Sequence, residues 1–130
     1  MDLPKQNSIS RYDIETIVVL YNMALTLHCS GQLTLSCYIY DLADRVLRGQ
    51  AVEHVRNDRM ACKLALAISN NLGQVFLTLG YKDIARSYIH RLANFLLTMN
   101  PPATAEQANE RLQFVLNIYW FNNPPSAGAA

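Results

Sequence analysis

The sequence predicts an all-α protein, and three observations carry that prediction. Apolar residues recur at three- and four-residue spacing in successive stretches, and no stretch sustains the strict alternation of a half-buried strand. Gly31, Gly49, Gly80 and the Asn100-Pro101-Pro102 triplet fall where those stretches end, as helix stops do. The 130 residues are 51% apolar, enough for one domain with a core of its own.

Each element follows from its own residues. Residues 1–12 read as a polar arm containing Pro4. Asp13 is placed to cap a first helix whose stripe is Ile14, Ile17, Val18, Tyr21, Met23, Ala24 and Leu27, and Gly31 stops it. A second helix over about 33–48 has Leu35, Ile39, Leu42, Ala43, Val46 and Leu47 as its inner face and ends at Gly49. The polar run GQAVEHVRN, 49–57, reads as a connection. Asp58 opens a long third helix carrying Leu64, Ala65, Ile68, Leu72, Val75, Phe76 and Leu79, with Gly80 at its end. Lys82 to Met99 forms a fourth, with Ile84, Ala85, Tyr88, Ile89, Leu92, Phe95 and Leu96. Thr104 and Gln107 have capping-box spacing, opening a fifth helix over about 104–120. The remainder, 122–130, has the composition of a flexible tail.

Composition narrows the function. Charged residues are 16% of the chain, against roughly 25% in ordinary globular proteins. So little charge implies either a neutral surface or one covered by a partner or second copy. The net charge of +1 gives no reason to expect nucleic-acid binding. No apolar run reaches the roughly 18 residues of a membrane span, so no membrane insertion is expected. The opening MDLPKQNSISRYD lacks the apolar region of a signal peptide, and a cytoplasmic location is expected.

No catalytic or metal-binding set emerges. His28, His54 and His90 lie in separate elements and have no metal-ligand spacing with Cys29, Cys37 and Cys62, which read as reduced, mostly buried thiols. Phosphate-loop, nucleophile-elbow and zinc-protease motifs are missing. The expectation is a non-enzyme without cofactor or metal. Lys82, Arg86, His90 and Arg91 read as a solvated outer row, with Asp83 among them, although the same row also suits a nucleic-acid stripe.

Gly73 interrupts an apolar helical run at a cost of about 1 kcal/mol relative to alanine. An internal repeat explains it. Residues 18–47 laid on 67–96, an offset of 49, place Asn22 on Asn71, Ala24 on Gly73, Leu27 on Phe76, Gly31 on Gly80, Ser36 on Ala85 and Tyr40 on Ile89. Small residues meet small ones, so Gly73 facing Ala85, and Ala24 facing Ser36, would let paired helices approach closely. Gly80 instead ends a helix, where a positive φ is expected.

This pattern resembles the tetratricopeptide repeat, whose unit reads W-x2-L-G-x2-Y, then A-x3-F, then P. Leu72-Gly73-x2-Phe76 and Ala85-x3-Ile89 match it in a second unit, about 58–99. Met23-Ala24-x2-Leu27 and Ser36-x3-Tyr40 match it more loosely in a first, about 13–48. Leu20 and Ser69 stand in place of Trp, Arg48 and Leu97 in place of Pro, and the offset exceeds the family's roughly 34 residues. The chain is also similar to repeat proteins common in diatoms, on LYNMALTLHCSG, NNLGQVFLTLG and the AGAA end.

The resemblance implies two helical hairpins with a C-terminal capping helix over 13–121, a short α-solenoid. It implies a protein or peptide partner held in a concave groove. The groove positions would be Val18, Tyr21, Asn22, Leu25 and His28 in the first unit, and Ala67, Asn70, Asn71, Gln74 and Thr78 in the second. Asn22 and Asn71 match the family's ligand-holding asparagine, because an amide both donates and accepts. Hydrogen bonding between adjacent helices is the alternative role for both. Val18 and Ala67 occupy the place of the carboxylate-clamp lysine, so capture of an acidic C-terminus by that clamp is not expected. The last helix is apolar nearly all round, and Phe114, Ile118, Trp120 and Phe121 suggest an association surface. An N-terminal segment, a second copy or another protein are its candidate neighbours. Protein–protein interaction is the expected function, with self-association into a homo-oligomer and RNA binding as rivals.

Overall fold

The computed structural model describes residues 8–125. The remainder of the expected arm, with Pro4, and residues 126–130 of the expected tail lie outside the described residues.

Six helices follow in order: α1 (Arg11–Cys29), α2 (Leu33–Arg48), α3 (Val52–Asn57), α4 (Arg59–Thr78), α5 (Lys82–Thr98) and α6 (Ala105–Asn122). The described residues contain no strand. Local chemistry sets the ends. The Ser10 hydroxyl accepts from the Asp13 amide, Asp58 Oδ1 from the Ala61 amide at 2.9 Å, and the Thr104 hydroxyl from the Gln107 amide. Gly31 and Gly80 have φ of 82° and 91°, a left-handed conformation that glycine adopts without a side-chain penalty.

Three expectations change. Helix α1 begins at Arg11 under a Ser10 cap rather than an Asp13 cap, and Ile9, assigned to the polar arm, is buried in the core. The connection at 49–57 contains α3, whose Val55 is buried against the same core. Burial needs only one apolar side chain per turn, and Val55 supplies it in an otherwise polar run. Met23, Leu35 and Ile84, read as inner-face residues, are about half exposed, while Ser36 and Tyr40 are fully buried. In α2 the buried face runs through Ser36, Tyr40, Ala43 and Leu47, and Leu35 lies off it.

Packing builds two cores. The larger gathers Ile17, Ala24, Tyr40, Ala43, Leu64, Ile68, Leu72 and Val75 from α1, α2 and α4. Helix α1 packs back along α2, and α4 lies against both. The second core has only Leu66, Ile89 and Leu92 buried, with Phe114, Ile118 and Phe121 of α6 leaning on them half-buried. Helix α5 packs back along α4, and α6 touches α5 and α4. A β-carbon built on Gly73 would stand 2.7 Å from Ile89 Cδ1 and 3.6 Å from the Ala85 carbonyl oxygen. Glycine at this position therefore lets α4 and α5 approach.

Candidate functional site

Helices α1, α2, α4 and α6 bring together a line of polar groups. Asn117 Nδ2 donates to Asn70 Oδ1 at 3.0 Å, and Asn70 Nδ2 donates to Asn71 Oδ1 at 3.1 Å. Asn71 Nδ2 donates in turn to the Tyr40 hydroxyl at 3.1 Å and to that of Tyr21 at 3.4 Å. The Tyr40 oxygen lies 3.2 Å from His28 Nδ1, toward which its own proton can point. Burial pushes the Tyr40 phenol up to about 12 from its ordinary 10.0, although the Asn71 hydrogen bond favours the charged form.

The expected groove residues thus separate into two sets. Tyr21, His28, Asn70 and Asn71 join this line, and their polar groups bond within the chain. Asn22, Leu25, Gln74 and Thr78 take no part in it. Asn22 is exposed and its side-chain amide makes no hydrogen bond among the described residues, while its carbonyl accepts from the Thr26 hydroxyl. Asn22 and Asn71, equivalent in the repeat, therefore sit in different surroundings. Val18 and Ala67 are half-buried. Sequence reasoning omitted Tyr40 and Asn117. A tyrosine where the repeat has phenylalanine, and a lone asparagine within FVLNIYW, were the available signals, since a buried polar group must find a partner.

A second polar contact ties α2 to α5. Asp44 is buried and accepts from both terminal Arg91 guanidinium nitrogens at 2.7 and 3.2 Å and from Arg48 Nε at 2.9 Å. Arg91 also lies 4.8 Å from the centre of the Tyr88 ring, which stacks on Phe76. Of the row read as a solvated face, Lys82, Arg86 and His90 are exposed, but Arg91 is half-buried and ion-paired.

Helix α6 has two faces and no fully buried residue. Phe114, Ile118 and Phe121 face the second core. Leu112, Val115, Leu116, Tyr119 and Trp120 are exposed, Trp120 by 60%. Of the four residues expected to form an association surface, Trp120 alone is exposed. A sparser stripe, Tyr12, Val19 and Met23, is exposed on α1.

Among the described residues no three His, Cys, Asp or Glu side chains gather as a metal would require. The three thiols are free, with Cys29 exposed and Cys62 buried. No described helix is long and apolar enough to cross a membrane. No family model, curated protein or solved structure matches the chain.

Proposed function

We propose that the chain is a non-catalytic protein-interaction module that docks a helix of another protein chain on the outer face of α6. The observation that carries this reading is the five large apolar side chains exposed on one helix, Leu112, Val115, Leu116, Tyr119 and Trp120. A contiguous apolar surface of that kind is stabilised by being covered.

The tetratricopeptide-like arrangement belongs to the same proposal. Helix α4 lies against the α1–α2 pair, and α6 lies against the α4–α5 pair. On this reading α6 is the first helix of a third hairpin, and the docked helix takes the place of the second. Engagement of the Asn70 and Asn71 amides within the chain favours α6 over the groove as the docking surface.

Trp120 is the single tryptophan, so its fluorescence reads that surface alone. With no other protein present, a second copy supplies the docking helix, as the self-association reading expects. Raising the concentration from nanomolar to high micromolar should shift Trp120 emission to shorter wavelength and reduce its quenching by acrylamide. Emission and quenching that stay those of a water-exposed indole throughout would overturn docking of a second copy on this face.

A further inference from the structure

The cations distribute unevenly. Arg11, Arg45, Arg48, Lys63, Arg86 and Arg91 are each ion-paired. Among the described residues, Arg56, Arg59, Lys82 and Arg111 meet no carboxylate. Three of these four line one cavity of about 310 Å³, between the α3–α4 junction, the end of α5 and the start of α6. Residues far apart in the chain thus converge, and no sequence motif marked them.

The lining of this cavity carries an excess of positive charge. Arg56 Nη2 donates to the Thr98 hydroxyl at 3.0 Å, and Arg111 Nη1 donates to the Asn100 carbonyl. Neutral acceptors therefore hold both guanidiniums in place without cancelling their charge, and each keeps further N–H donors. Lys63 also lines the cavity. Its partner Glu110, at 3.0 Å, is the lone carboxylate among the lining residues. Asp58, beside Arg59, accepts from the Ala61 amide at the start of α4. Leu66, Met99, Pro101 and Phe114 give the same cavity apolar walls. Its volume suits a small ring, at the lower end of ligand pockets of roughly 300–1,000 Å³.

We propose that this cavity binds a phosphate monoester carried on a small apolar body. Three unpaired guanidiniums suit a dianion better than a single carboxylate, and arginine's planar fork matches phosphate oxygens. The apolar walls take the ester's body. The site is separate from the outer face of α6 and does not depend on its role. The three guanidiniums gather at one cavity, not along a surface track, so a small ester suits the site better than a nucleic-acid strand.

Calorimetric titration of the full chain at low salt tests the proposal, with phenyl phosphate, inorganic phosphate and phenol as probes. Saturable one-to-one binding of phenyl phosphate is expected, tighter than inorganic phosphate, with none for phenol. Arg59→Gln and Arg111→Gln should each weaken it by about tenfold, as loss of a charge-assisted hydrogen bond does. Lys82→Gln removes the remaining unpaired cation away from the cavity and should change affinity less than about twofold. The Arg59 side chain makes no hydrogen bond or ion pair among the described residues, so Arg59→Gln stays decisive if Arg111→Gln disturbs the α5–α6 link. Free phosphotyrosine and the same group within a short peptide separate the sources. Tighter peptide binding assigns the site to a modified side chain, and equal or weaker binding assigns it to a free ester. Absence of saturation, binding of phenol as tight as phenyl phosphate, inorganic phosphate as tight as the ester, or equal losses in Arg59→Gln and Lys82→Gln would each overturn the proposal.

Discussion

Helix α4 seals the α1–α2 pair, whereas α6 only leans on the α4–α5 pair. At the first seam Tyr40, Ile68, Leu72 and Val75 are all below 2% exposed. At the second, no residue of α6 is fully buried. The first seam adds Asn71 with two tyrosine hydroxyls, and the Asp44–Arg91 clamp fixes α5 against α2. The second has one amide pair, Asn117 to Asn70, and the Lys63–Glu110 ion pair. On the proposed reading, another chain completes a helix held this lightly on its inner face and apolar on its outer face.

That contrast can be broken, first at its best-packed point. Leu72→Ala removes a fully buried side chain at the first seam and should cost about 2–5 kcal/mol in a denaturant titration. Ile118→Ala, on the half-buried face of α6, should cost less than about 1.5 kcal/mol. Equal losses would mean that the two seams are equally closed. Arg91→Met should destabilise by about 1–2 kcal/mol, because Asp44 stays buried with only Arg48 beside it. An unchanged melting temperature would show that the clamp contributes nothing. Asn71→Ala should cost about 1 kcal/mol by leaving the Tyr40 hydroxyl with His28 alone.

The pH response is subtler. Tyr40 has a folded-state pKa raised from 10.0 to about 12 by burial. Its stabilising contribution is complete below pH 10.0, where the phenol is protonated in folded and unfolded chains alike. Above that, the unfolded chain loses the proton first, so stability falls as pH rises from 10.0 through about 12. Burial raises Tyr88 as well, which steepens the same limb. Thermal melts across this range should show a smaller alkaline loss for Tyr40→Phe than for the wild type.

Much of the helical framework was legible because helix ends depend on nearby residues. Gly31, Gly80 and the Thr104–Gln107 spacing mark ends that the structure places within a residue or two. Gly73 was legible as a close approach, since a glycine kept inside an apolar helix needs a reason. Tertiary packing decided the rest. Ile9 and Val55 are buried because other helices pass over them, and their polar neighbours concealed this. Asn71 could be read as a ligand holder because the tetratricopeptide resemblance implies a groove at that position. Only the position of Tyr40, on another helix, shows where its amide goes. The arginine cavity was illegible for the same reason, since Arg111 stands about fifty residues from Arg56 and Arg59. Within α6 the sequence named an apolar helix but not its faces. Phe114, Ile118 and Phe121 turn inward, and Trp120 turns out.

The outer face of α6 should matter least to stability, and there the consequence should appear in association instead. Leu116→Gln combined with Trp120→Gln leaves the inner face intact and should change the melting temperature of the dilute chain little. Molar mass measured across concentration, for the wild type and this double variant, decides whether the outer face of α6 associates. The wild-type mass should rise toward that of a dimer with concentration, and the variant should stay monomeric. A wild type that remains monomeric at every concentration, or a variant that associates equally well, would contradict association through that face.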